Sequence, residues 1–510
     1  MTRRPNSDPD AALLERAFDR RRAEAEIPAA FPPEVEAEAR EAAKRDPASA
    51  TATHADLTEI AFVTIDPPGS MDLDQALCIA REGEGLRVWY AIADVGFFVD
   101  RGGAIETEAW RRGETFYAPD RKTPLYPATL SEGPASLLPD AVRAAVVFDL
   151  TLDARGEIVA SKIGRARVIS RAKLTYGEVL EHVEGGGAKF RGEPWAESLE
   201  LLKVFGELRR DREAERGGVS LPILSQHVQR SATASLGYEL EYERPVVSED
   251  WNAQVSLLTG HVAALRMVEA GVGILRVLAP PEEEAVAKLR RAAKALGFDW
   301  AESTGYADFI RSLDPGHRCV TPLVWQARRV MRGSDYVAFD GEVPADPLHH
   351  ALAMKYAHVT APLRRLADRY VLDLLVQLES GARPSAEERE TLAKVAKVMN
   401  EQETKAGRFE RDVVDIAEAW TLRSRVGETF VATVLGVRDG AVEVQLEEPP
   451  VRAEAHREKG GAWLELGARV QARLTGVSVE EGKLEFALEA PGSATGGGGG
   501  AAAAESGAGA

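Results

Sequence analysis

The chain has 510 residues, 45% hydrophobic and 28% charged, a balance that excludes a disordered or fibrous protein and exceeds what one hydrophobic core usually fills. Its formal net charge of −18 excludes a surface that is basic throughout, while leaving room for a local basic groove, for example around Arg165, Arg167, Arg171 and Lys173 or around Arg328, Arg329 and Arg332. The two cysteines, Cys78 and Cys319, lie far apart without C-x-x-C spacing, which argues against a disulfide framework or a zinc site.

Residues 1–50 are rich in Ala, Glu and Arg. Helical spacing over 11–25 and 35–43, broken by Pro28 and Pro32-Pro33, predicts a small helical appendage. The basic triplet Arg20-Arg21-Arg22 leaves a helix-turn-helix open beside a plain helical cap. No signal-peptide core and no membrane-length apolar run occur, so the expectation is a cytoplasmic protein that does not enter a membrane. From residue 55, β-branched and aromatic runs at 60–65, 88–95, 144–152 and 158–169 predict strands, the last two joined by Asp153-Ala154-Arg155-Gly156 as a hairpin.

Helical periodicity follows in Leu199, Leu202, Phe205 and Leu208, in 253–268, and in Leu363, Leu366, Tyr370 and Leu374. After Gly427 short strands return at 430–437, 441–446, 468–475 and 483–488. They are separated by turns such as Asp439-Gly440 and Glu481-Gly482, which suits a small OB-like barrel. The run Gly496 to Gly500 and then Ala501 to Ala504 reads as a flexible tail. The expected fold class is α+β: a helical appendage (1–50), a mixed α and β body (51–425), an OB-like barrel (426–490) and a disordered Gly/Ala tail (491–510).

The segment Asp66-Pro67-Pro68-Gly69-Ser70-Met71-Asp72-Leu73-Asp74-Gln75 follows an apolar strand and carries three carboxylates. The prolines and glycine restrict and turn the chain, so the acids stand on a shaped loop at a strand end. Asp72 and Asp74 share a face if the backbone is extended, and both could then reach one cation. Hard Mg²⁺ prefers carboxylate oxygens and completes its shell with water and phosphate. A solvated acidic turn is the plain alternative. An EF-hand loop is excluded by the missing glycine and terminal glutamate spacing.

Several stretches resemble the ribonuclease II/R family: the acidic loop, Ala91 to Val95, Thr115-Phe116-Tyr117-Ala118-Pro119, Lys173 to Tyr176 and, most specifically, Tyr356-Ala357-His358-Val359-Thr360-Ala361-Pro362-Leu363-Arg364-Arg365-Leu366-Ala367-Asp368. The resemblance implies an RNB-type catalytic domain and processive hydrolysis of single-stranded RNA from its 3' end to nucleoside 5'-monophosphates. It implies one or two Mg²⁺ ions, with Mn²⁺ as a substitute, held by Asp66, Asp72, Asp74 and Gln75. Asp74 matches the family's most critical position, and Arg364 would grip the scissile phosphate through its planar fork. An i,i+4 pair between Arg364 and Asp368 is the structural alternative. Tyr117 resembles the base-stacking tyrosine and Tyr176 the tyrosine near the terminal nucleotide. Arg365 is carried over as an RNA contact, and a core position remains open for either tyrosine. His358 is read as a structural hydrogen bonder without a catalytic role.

Three departures qualify the match. Gln75 stands where the family usually has a fourth aspartate, which predicts single-ion function or a higher Mg²⁺ requirement. Leu221 takes a place where some relatives have an aromatic that sandwiches the terminal bases. The two cold-shock barrels common ahead of the family's catalytic domain do not fit in residues 1–50. Single-stranded RNA is the expected partner of a monomer. A catalytically reduced RNA-binding protein of the same fold is the main alternative, and a small-molecule metal phosphohydrolase a further one.

Overall fold

In the computed structural model, residues 9–219, 221, 225–230, 238–243, 246–314, 316–317, 319–331, 333–438, 441–449, 451–456 and 464–489 are described. The expected tail, the Asp439-Gly440 turn and Arg332 lie outside them. Seven strands build the central sheet: β1 (Ala55–Asp56), β2 (Phe62–Ile65), β3 (Gln75–Glu82), β4 (Gly85–Ala93), β5 (Arg143–Leu152), β6 (Ile158–Val168) and β7 (Ser170–Leu174). Their order is β1-β6-β5-β4-β3-β2-β7. Neighbours from β2 through β6 run antiparallel, whereas the outer pairs β2/β7 and β1/β6 are parallel.

Local chemistry explains the connections. Between β5 and β6, Asp153 Oδ1 accepts the amides of Arg155 and Glu157 at 2.9 and 2.8 Å, and Gly156 takes φ +78, so the expected hairpin forms. β5 reads as a nearly unbroken apolar run because Ala145, Val146, Phe148 and Leu150 are all fully buried in the main core. β3 escaped the sequence reading, since Gln75 and the pair Arg81-Glu82 interrupt its apolar pattern at both ends.

Helices Ala196–Arg216 and Leu366–Glu379 pack against the sheet, and Val247–Ala270 packs on the first of them. The predicted helical run through Leu363 begins only at Leu366. Gly260 marks a tight crossing: a Cβ there would come within 2.3 Å of the Tyr356 ring and 2.5 Å of the Ala357 carbonyl. The 37-residue helix Ala386–Leu422 starts with a capping box between Ser385 and Glu388. Its apolar face joins the main core through Leu392, Val395 and Met399, then a second cluster through Phe409, Val413 and Ile416. That second cluster also takes Leu14, Ala17 and Phe18 of helix Pro9–Glu24.

The C-terminal part is a closed barrel of five strands, Thr429–Arg438, Ala441–Leu446, Arg452–His456, Arg469–Ser478 and Lys483–Glu489. Sequence reasoning found four of them. The third, Arg452–His456, buries little beyond Ala455 and so carries hardly any apolar signal.

Candidate active site

The acidic loop leaves β2 at Asp66 and returns as β3 at Gln75. Gly69 takes φ +84, a left-handed conformation that costs glycine nothing. The loop is pinned along its length. Asp66 N donates to Leu174 O of β7 at 3.0 Å, Leu73 N donates to Ser136 Oγ at 2.9 Å, and the Ser136 hydroxyl donates to Met71 O at 2.7 Å. Leu73 is fully buried between Asp72 and Asp74 in sequence and acts as the loop's apolar anchor.

A second wall comes from residues 356–365. Asp74 Oδ1 accepts the Leu363 amide at 2.7 Å, and the adjacent Gln75 donates Nε2 to the Thr360 carbonyl. Arg364, about half exposed, lies with Nε 3.6 Å from Asp74 Oδ2. The alternative pairing of Arg364 with Asp368 is not what forms. Asp368 is fully buried and takes Arg365 through Nε (3.0 Å) and Nη2 (2.8 Å) while also accepting the Ala361 amide at 2.7 Å. Arg365, expected as an RNA contact, therefore spends its guanidinium on closing the turn that presents its neighbour. His358 is half-buried, shares a 2.6 Å hydrogen bond between Nδ1 and the Tyr336 hydroxyl, and has its pKa pushed well below the usual histidine range, by burial first and then by Arg365 and Arg276.

The third wall is the segment Glu114 to Lys122, tied to the second by a hydrogen bond from Thr115 N to Arg364 O at 3.0 Å and by the bridge between Glu114 and Arg365. Tyr117 is 43% exposed. Its pKa is raised, by burial first, with the charges of Arg364, Asp72 and Asp74 all felt at the phenol. Lys122 Nζ sits 2.8 Å from Asp72 Oδ1 and 2.8 Å from Glu132 Oε1. Tyr176 opens helix Tyr176–Glu184 behind the Thr175/Glu178 capping box, and its hydroxyl pKa is pushed up to about 12 by burial and then by Asp66. Leu221 packs elsewhere, against an apolar cluster that includes Val219, Leu289 and Leu323.

Burial sets the electrostatics. The Asp74 carboxyl is pushed up to about 8, with Arg364 and the Leu363 amide opposing. Asp66 rises to about 6, burial again leading, with Arg364 opposing and Asp72 adding its repulsion. Asp66 Oδ2 is buried without a hydrogen-bond partner. Carboxyls raised this far are only partly compensated by the arginine beside them. The donor set, hard oxygens with one orphaned acceptor, suits Mg²⁺ or Mn²⁺. Among the described residues no three His, Cys, Asp or Glu side chains converge as a ready-made metal cluster. Asp66 and Asp74 both feel Arg364 and the charge of Asp72, while Asp72 itself is held by an ammonium.

Sequence reasoning missed Lys122 and Ser136, because a lone lysine or serine in a loop carries no pattern. It also read Arg165, Arg167, Arg171 and Lys173 as a basic concentration. The structure pairs these four with Asp94 and Asp373, with Asp56, with the Thr58 carbonyl and with the Ser70 carbonyl respectively, and Arg171 stays exposed.

Fold and site together define a class: an α+β body carrying an acid-and-arginine site, joined to an OB-type barrel. The chain belongs to the RNB-domain family. The RNB domain model matches residues 54–381, and that of the RNase II-type exonuclease C-terminal S1 domain matches 428–489. Ribonuclease R of Escherichia coli is 26% identical over 91% of this chain and 61% of its own length, so the chain spans about three fifths of that relative. The solved Mycoplasma genitalium RNase R in complex with ribose methylated single-stranded RNA shares the fold at a TM-score of 0.83 and 20% identity, covering 95% of this chain and 79% of that one. Yeast Ssd1, described as a pseudonuclease, matches at a TM-score of 0.65 and 17% identity over 83% of this chain and 53% of its own. Among the described residues no helix is long and apolar enough to cross a membrane.

Proposed function

We propose that the chain is a processive 3'-to-5' exoribonuclease that hydrolyses single-stranded RNA to nucleoside 5'-monophosphates with the help of Mg²⁺. The observation that carries this reading is the pairing of buried Asp74 with half-exposed Arg364 beside the orphaned oxygen of Asp66. When bound, a divalent ion supplies a Lewis acid and a water of lowered pKa at the scissile phosphate. Asp66 and Asp74 would hold it. Arg364 offers its fork to the phosphate oxygens from the open side of the site. Tyr117 provides an exposed ring for a base, and the Tyr176 hydroxyl lies within the field of Asp66. Arg365 and Gln75 brace the loop that carries Arg364, and Leu221 supports the domain away from the acids.

The test uses single-stranded RNA labelled at either end, with Mg²⁺. Release of labelled mononucleotide from the 3' end, with a 5'-labelled ladder that shortens, is the expected result. Internal cuts, or binding without cleavage that Asp74→Asn leaves unaltered, would sink the reading. Gln75 in place of an acid and the likeness to a pseudonuclease favour one second reading, a catalytically reduced RNA binder, which the same experiment separates. We also propose a monomeric, cytoplasmic protein; two cysteines that stay free, Cys78 and Cys319, suit a reducing compartment.

A further inference from the structure

Lys122 is a site residue that the proposed chemistry leaves without a role, and its position is fixed by contacts on both sides. Its ammonium is 2.8 Å from Asp72 Oδ1 and 2.8 Å from Glu132 Oε1, with the lysine and both acids partly shielded from solvent. The segment that carries it is closed by two hydrogen bonds, Phe116 N to Thr123 O at 3.0 Å and Thr123 N to Phe116 O at 2.7 Å. Leu125 N donates to Thr115 Oγ1 at 3.0 Å just beyond. Asp120, two residues before Lys122, is buried in a pair with Arg22 of the N-terminal helix. A lysine on such a base is presented, not left to wander.

Its neighbours give the placement a meaning. Asp74 has Arg364 at 3.6 Å and Asp66 keeps one oxygen without a hydrogen-bond partner, whereas Asp72 already has an ammonium at 2.8 Å. Where a further carboxylate would strengthen the pull on a second ion, this chain has neutral Gln75, whose amide is turned to the Thr360 carbonyl. A divalent ion ligated by Asp72 would have to displace the ammonium or share the carboxylate with it, against like-charge repulsion in a partly dehydrated site.

We propose that Lys122 is a built-in cation of this site. Its ammonium takes the Asp72 side of the acidic cluster, so that the chain binds one divalent ion, through Asp66 and Asp74, and no second one. Lys122 acts through Asp72 and is a positioning residue: it fixes the ion count and keeps Asp72 turned away from the bound ion. The proposal rests on the cation-assisted reading given above. An ordinary surface ion pair, worth little and without consequence for metal binding, is what it must be distinguished from.

The test is the binding isotherm of Mn²⁺ alone on the full-length chain at neutral pH without RNA, by calorimetry and by the electron paramagnetic resonance signal of the free ion. The parent chain, Lys122→Met, Lys122→Arg and Asp74→Asn are compared. The parent and Lys122→Arg bind one ion that Asp74→Asn abolishes, and Lys122→Met binds a second. If Lys122→Met does not melt as a folded protein, Lys122→Gln carries the same expectation, because its amide can still donate to the carboxylates without bringing charge. Two Asp74-dependent ions in the parent, or one ion held equally by the parent and the neutral variant, overturn the role of Lys122 alone. No Asp74-dependent ion in the parent overturns the cation-assisted reading and this proposal together.

Discussion

Asp74 keeps its proton in the fold up to about pH 8, and Asp66 to about 6, whereas both ionise near 4 in an unfolded chain. Between those limits the folded protein binds more protons than the unfolded one, so each residue subtracts stability as pH climbs from about 4 through its folded pKa. Without divalent ions, Asp74→Asn should therefore gain on the parent chain as pH rises from about 5 to 8 in urea melts. A gap that stays constant with pH would refute the burial argument. For the same reason a divalent ion displaces protons: Mn²⁺ affinity should rise with pH over this window, and calorimetry in buffers of different ionisation enthalpy should register proton release. Gln75 makes the opposite point. Its amide donates to a carbonyl, which a carboxylate cannot do, so Gln75→Asp adds an acid but removes the brace on Thr360. Activity should drop by about tenfold, the size of one lost hydrogen bond, and full activity at a lower Mg²⁺ requirement would show Gln75 to be a weakened ligand instead.

Helix Pro9–Glu24 acts on the site from behind. Phe116 and Ala118 pack into the cluster it forms with the long helix, and Tyr117, between them in sequence, stays exposed. Arg22 and Asp120 clamp this contact with both side chains almost fully buried. Arg22→Met leaves Asp120 without that partner in a buried place, a loss of about 3 to 5 kcal/mol in stability when a buried pair is broken. The KM for single-stranded RNA should rise about tenfold while kcat changes little, since roughly 1 to 3 kcal/mol of base stacking depends on the tyrosine's platform. An unchanged KM would mean that the appendage only caps the core. Of the arginine triplet that left a helix-turn-helix open, Arg22 is spent here, while Arg20 and Arg21 pair with Glu24 and Arg20 stays exposed. Features written in neighbouring residues were thus legible from sequence: the acidic loop, the hairpin turn, the late arginine motif, the Gly-spaced barrel strands. Features fixed by distant partners were not, which is why β3, the pair Val272–Val277 and Asp335–Asp340, and the division of labour between Arg364 and Arg365 emerged only in three dimensions.

At the scale of the whole molecule, net charge and internal pairing act together. With −18 overall and Arg165 and Arg167 of the expected basic group already paired with carboxylates, that group exchanges few counterions with RNA. The logarithm of affinity against the logarithm of salt should fall with a slope of only about −2, corresponding to roughly three phosphate contacts on a single strand. Anisotropy with Asp74→Asn between roughly 50 and 200 mM salt reads this directly, and a slope of about −5 or steeper would reveal a basic track. The double grip of Asp74 and Gln75 on Leu363 and Thr360 spans 289 and 285 positions of chain. During synthesis, the acids therefore emerge from the ribosome long before the arginine that completes them. Up to that moment a growing chain has no assembled centre, so the proposed nuclease stays inert beside the messenger that encodes it.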